Sequence, residues 1–149
     1  MNVAIVTEKM LEHMKKTNDV YLRSELVSKI TTLAVKYSLN NRWYIDTMNK
    51  VFLLGGELVQ KEVAYNLLRL IAEGTGDEQE DTDLRVYALQ SWQALMDLPK
   101  LPVLLIHSIA WMFGEYGYLI GLDVAGHILV DLLERTSSDE SKHWIVWAI

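Results

Sequence analysis

The chain has 149 residues, half of them hydrophobic, a mean hydropathy of +0.09 and a net charge of −6. That is enough apolar material for a sizeable core, and the acidic balance argues against a nucleic-acid footprint, which needs a basic face. No cysteine is present, which excludes disulfides, thiolate metal sites and thiol nucleophiles.

No secretory signal can be read at the start, and the longest uncharged run, Leu101 to Gly114, is well short of the ~20 apolar residues that span a bilayer. Residues 1–69 hold 10 Lys or Arg against 7 Asp or Glu, and residues 70–149 hold 4 against 13, so the halves carry +3 and −9. The basic set Lys15, Lys16, Arg23, Lys29, Lys36 and Arg42 reads as a solvated helix face.

Prolines occur only at Pro99 and Pro102, and turn signals recur at short intervals, so eight helical segments are predicted. The first spans Val3 to Lys15, with Ile5, Val6, Lys9, Met10 and His13 on one side. The second runs from an Asp19 cap to Tyr37 and repeats Leu26, Val27, Ile30, Leu33, Ala34 and Tyr37 at helical spacing. A third, Arg42 to Leu54, carries Trp43, Ile45, Met48, Val51 and Phe52 and is stopped by Gly55-Gly56. The fourth covers Val59 to Ala72.

Glu73 to Asp83, E-G-T-G-D-E-Q-E-D-T-D, is the one long polar interruption and is expected to be a solvated loop whose carboxylates can be replaced at little cost. Thr82 or Asp83 then caps a fifth helix to Asp97, with Leu84, Ala88, Trp92 and Leu95 inward. After the Pro99–Pro102 elbow, the sixth helix, Pro102 to Ile120, is apolar on every face and so is expected to be covered on all sides. Within it Gly114 and Gly117 leave room for another backbone. The seventh helix, Asp123 to Arg135, presents Val124, Ile128, Leu129, Leu132 and Leu133. The eighth begins near Asp139 and is still apolar at Ile149. Helix pairs recurring about every 40 residues, with no strand-like alternation, give an all-α fold class, an α-solenoid of armadillo or HEAT type. Neither end supplies the polar cap that a terminal repeat needs, which predicts one segment, 1–149, of a longer chain.

Chemistry is harder to find. His13, His107, His127 and His143 form no ligand pattern, and His107 reads as a core histidine bonded to a backbone carbonyl. The acidic run has Thr82 where a calcium loop needs glycine. Gly74-x-Gly76 follows a helix and lacks a third glycine, so no nucleotide or other cofactor is expected. Trp43, Trp92, Trp111, Trp144 and Trp147 read as core packing. Glu115 is a charge in a buried-looking helix, where a structural hydrogen bond or ion pair explains it better than acid catalysis. No enzyme is read from these residues.

Three blocks carry a resemblance: L-V-S-K-I-T-T-L-A-V-K-Y-S (Leu26–Ser38), R-W-Y-I-D-T-M-N-K-V-F (Arg42–Phe52) and W-M-F-G-E-Y-G-Y-L (Trp111–Leu119). In order and spacing they resemble the large adaptin subunits of clathrin-type adaptor complexes. L-R-L-I-A-E-G (Leu68–Gly74) and D-L-R-V-Y-A-L-Q-S-W (Asp83–Trp92), around the acidic loop, are most similar to the epsilon type of the fourth adaptor complex. The resemblance implies a scaffold trunk in a vesicle coat. Its implied partners are beta-type large, medium and small subunits and an Arf-family GTPase, at the cytosolic face of the trans-Golgi network. It further implies architectural roles for Trp43, Asp46, Trp111, Gly114, Glu115, Tyr116 and Gly117, and no catalytic or metal-binding residue.

Overall fold

Short polar side chains set the helix starts. Carboxylate, amide or hydroxyl oxygens of Asn2, Asp19, Asn40, Asp77 and Ser138 each accept from the backbone N–H three residues on, at 2.8–3.3 Å. The computed structural model describes residues 1–149. It contains α1 (Val3–Lys16), α2 (Val20–Tyr37), α3 (Asn41–Gly55), α4 (Lys61–Glu73), α5 (Glu78–Leu95), α6 (Val103–Tyr116), α7 (Leu122–Arg135) and α8 (Asp139–Ala148), with single 3₁₀ turns after α3 and α6. The all-α class and the eight helices agree with the sequence reading. No helix is long and apolar enough to cross a membrane.

The chain divides into two compact units, Met1–Leu67 and Leu68–Ile149. In the first, α1, α2 and α3 pack against one another around Met14, Ile30, Ala34, Ile45, Met48 and Val51, all fully buried. Gly56, at φ +53, takes the left-handed conformation that stops α3. In the second, α6 packs on α5, α7 and α8, and its core holds Ile71, Leu89, Trp92, Leu105, Ile109 and Ile145. Trp92 is the largest fully buried side chain of the molecule.

Several sequence expectations are corrected. The buried stripe of α1 is Val3, Thr7, Leu11 and Met14, whereas Ile5 is 53% exposed. Both stripes satisfy the helical period. The correct one contains a threonine whose hydroxyl donates to its own helix at Val3, which removes the cost of burying it. Tyr37 and Val124, expected on the inward faces of α2 and α7, are exposed.

The expected loop of Glu73–Asp83 shrinks to Gly74–Asp77, since α5 starts at Glu78 and Asp77, not Thr82 or Asp83, is its cap. The signal was present in Asp77 with Glu80 three residues later, a capping-box spacing whose first-turn carboxylates favour the helix start. Asp81, expected in solvent, is buried. It accepts from the Thr75 N–H at 2.6 Å, the Thr75 hydroxyl at 2.9 Å and the Gly76 N–H at 3.3 Å. The Thr75 N–H above all holds the Asp81 carboxyl below its ordinary range. Gly74, at φ +66, admits this arrangement because a Cβ there would lie 2.4 Å from the Asp81 carboxyl carbon. Replacing these carboxylates is therefore expected to cost stability.

The basic set also loses a member. Arg23 is no solvated cation: its Nη1 donates to the carbonyls of Met14 at 2.7 Å and Thr17 at 3.1 Å, and its Nη2 to that of Leu54. One guanidinium thus closes the ends of α1 and α3. Arg85 does the same for α4, reaching Ile71 and Ala72 at 3.3 and 2.9 Å. Arg135 serves the end of α5, donating to Met96 at 2.6 Å and to Leu98. Helix ends leave up to four carbonyls without partners, and their partial negative charge suits a cation.

Candidate structural site at the end of α6

The segment Trp111–Leu119 ends α6 and enters the 3₁₀ turn Gly117–Leu119. The helix stops four residues before the expected Ile120. At Gly114, a Cβ would stand 2.8 Å from the Ala148 Cβ and 3.1 and 3.2 Å from its Cα and carbonyl oxygen; at Gly117 it would stand 2.5 Å from the Ala125 Cβ. Two glycines three apart thus bring α8 and α7 against the same stretch of α6, with an alanine facing each.

Aromatic contacts surround this meeting point. The Trp111 and Tyr116 rings meet edge-on at 5.9 Å and 76°, and the Arg85 guanidinium lies 4.7 Å over Tyr116. The helix-end latch and the G-E-Y-G turn therefore share one arginine. On the adjoining face His107 stacks on Trp144 at 5.5 Å and 18°, and its Nε2 meets the buried Ser141 hydroxyl at 3.0 Å.

The uniform covering expected of α6 is not found. Val103, Gly114 and Glu115 are exposed, Gly114 although α8 approaches it at Ala148. Glu115 therefore carries no burial cost and needs no buried partner, contrary to the sequence reading. Trp147, expected in the core, is 84% exposed, while Trp43, Trp111 and Trp144 are half-buried. Trp43 and the exposed Asp46 lie on α3 in the first unit; Trp111, Gly114, Glu115, Tyr116 and Gly117 lie together in the second.

No three His, Asp or Glu side chains are grouped to hold a metal ion. His13, His127 and His143 are exposed, and His127 Nδ1 lies 2.7 Å from the carbonyl of Asp123 on its own helix. Burial pushes the Tyr44 phenol up. The polar groups with defined geometry, Arg23, Arg85, Arg135 and Asp81, are spent on backbone atoms. Sequence reasoning missed all four, since a guanidinium bound to carbonyls and one in water have the same sequence context.

The family model described as "Adaptin N terminal region" matches residues 1–143. AP-4 complex subunit epsilon of Arabidopsis thaliana is 41% identical, over 94% of this chain and 16% of the relative. AP-4 complex subunit epsilon-1 of Homo sapiens is 36% identical, over 99% of this chain and 14% of the relative. AP-1 complex subunit gamma of Dictyostelium discoideum is 30% identical, over 82% of this chain and 13% of the relative. The chain thus spans about a seventh of the length of these curated relatives. With the family model matched over residues 1–143 of 149, this chain belongs to the adaptin N-terminal region family.

Proposed function

We propose that this chain is a stretch of the trunk of an epsilon-type large adaptor subunit, and that it serves as a scaffold in a vesicle coat without catalysing a reaction. The observation that carries this is the similarity of nearly the whole chain to two AP-4 epsilon subunits at 36–41% identity. The polar chemistry supports it: the arginines and Asp81 close helix ends and a turn, which is what a scaffold requires and a reaction centre does not. In this reading beta-type large, medium and small subunits assemble with the protein containing this chain. An Arf-family GTPase recruits the complex to the trans-Golgi network, where cargo is sorted into vesicles. Trp43, Asp46, Trp111, Gly114, Glu115, Tyr116 and Gly117 are its architectural residues.

Partner capture from cytosol on the immobilised chain, read by mass spectrometry, tests the assembly role. Enrichment of beta-type, medium or small adaptor subunits is the expected result. Capture of none of them places the assembly surfaces outside these 149 residues, and enrichment of a single unrelated protein favours a free-standing peptide-binding module. Co-localisation of the tagged protein with a trans-Golgi marker tests the compartment.

A further inference from the structure

A small open cavity lies between α6 and α8, about 70 Å³ in volume, lined by Trp111, Gly114, Glu115, Trp144, Trp147 and Ala148. One water occupies roughly 10–15 Å³ on this measure, so the space admits a planar group of several heavy atoms. Three of its six lining residues are tryptophans and one is a glutamate. Glu115 forms no salt bridge within the chain. Two of the indoles are held in place before any ligand arrives, Trp144 by its stack on His107 and Trp111 by its edge contact with Tyr116. Trp147 is open to solvent.

Indole faces attract cations through their quadrupole, and a carboxylate beside them adds a charge-assisted hydrogen bond. A guanidinium suits both, being flat, weakly hydrated and able to stack and to donate in a fork. The net charge of this half of the chain has the matching sign, since residues 70–149 carry −9. The same motif already holds one guanidinium, that of Arg85 over Tyr116.

We propose that this indole–carboxylate slot binds an arginine side chain presented by a partner protein. The inference stands independently of the scaffold reading. Glu115 orients the guanidinium and Trp111, Trp144 and Trp147 enclose it, while Gly114 and Ala148, in close approach, complete the lining.

The five indole N–H signals of the 15N-labelled chain test the proposal, in a titration with an acetylated, amidated Gly-Gly-Arg-Gly-Gly peptide. The signals of Trp111, Trp144 and Trp147 are expected to move saturably while those of Trp43 and the buried Trp92 stay in place. Citrulline in place of arginine removes the charge at constant shape and is expected to abolish binding. Glu115→Gln is expected to bind about tenfold more weakly, the scale of one charge-assisted hydrogen bond; its unshifted Trp92 signal reports an intact fold. The proposal is overturned if no signal saturates, if citrulline or lysine peptides bind as well, or if Glu115→Gln binds like the parent. Loss of the shifts in a longer chain containing these residues would also overturn it, because the slot would then be filled from within.

Discussion

Residues Met1–Leu67 and Leu68–Ile149 close their helix ends with the same chemistry on opposite charge backgrounds. In the first unit one arginine, Arg23, serves carbonyls from α1, the turn after it and α3. In the second the work is divided: Arg85 takes the end of α4 and Arg135 the end of α5. The first unit carries +2 and the second −8, yet the geometry of the device is unchanged. A guanidinium bound to carbonyls answers to local dipoles and not to net charge. The difference lies in redundancy, for the first unit concentrates in one residue what the second spreads over two.

The sharpest way to break this comparison is Arg23→Ala, which leaves three carbonyls without their donor and is expected to cost about 3 kcal/mol in urea unfolding. Hydrogen exchange should show the opening concentrated in residues 1–67, and equal opening of 68–149 would mean that the two units are not separable in stability. Next, Gly114→Leu is expected to cost roughly 1–3 kcal/mol by overpacking against Ala148; an unchanged denaturant midpoint would refute the close approach of α6 and α8.

A smaller, pH-dependent loss is expected for Asp81→Asn. Because the folded carboxyl titrates below its ordinary range, its contribution is present above the unfolded value of about 3.9 and is lost as pH falls through the folded value. The gap between parent and variant midpoints should therefore narrow in acid, and a gap that widens there would contradict the assignment. Least of all, Lys50→Ala removes a half-exposed ion pair with Glu8 at 3.0 Å and is expected to shift stability by no more than about 0.5 kcal/mol.

Helix number, order and most boundaries were legible because the period of apolar residues, the caps at Asp19 and Gly55-Gly56, and the proline elbow each have a local cause. Which face of α1 turns inward was not, because two stripes fit the period and the buried one includes Thr7. The Glu73–Asp83 segment was misread because its composition is that of a loop, whereas Asp77 and Asp81 act singly, one as a cap and one as a turn anchor. The meeting of Gly114 with Ala148 depends on residues 34 positions apart, so spacing could show the room but not the occupant. Glu115 and Trp147 are exposed for a related reason: burial on α6 and α8 is decided by which helices pack on them, and no window of sequence contains that.

The paired small-residue contacts at Gly114 and Gly117 bear on mechanics. With no side chain to act as a compliant spacer, α6, α7 and α8 touch nearly at their backbones, and sliding any one of them forces atoms into repulsive contact within a fraction of an ångström. These three helices form a stiff knot. Flexing inside Leu68–Ile149 therefore falls outside this junction, on the helix connections, of which Gly74–Asp77 keeps its shape by hydrogen bonds to a single carboxylate. A scaffold carrying this segment would leave the α6 junction undeformed under load.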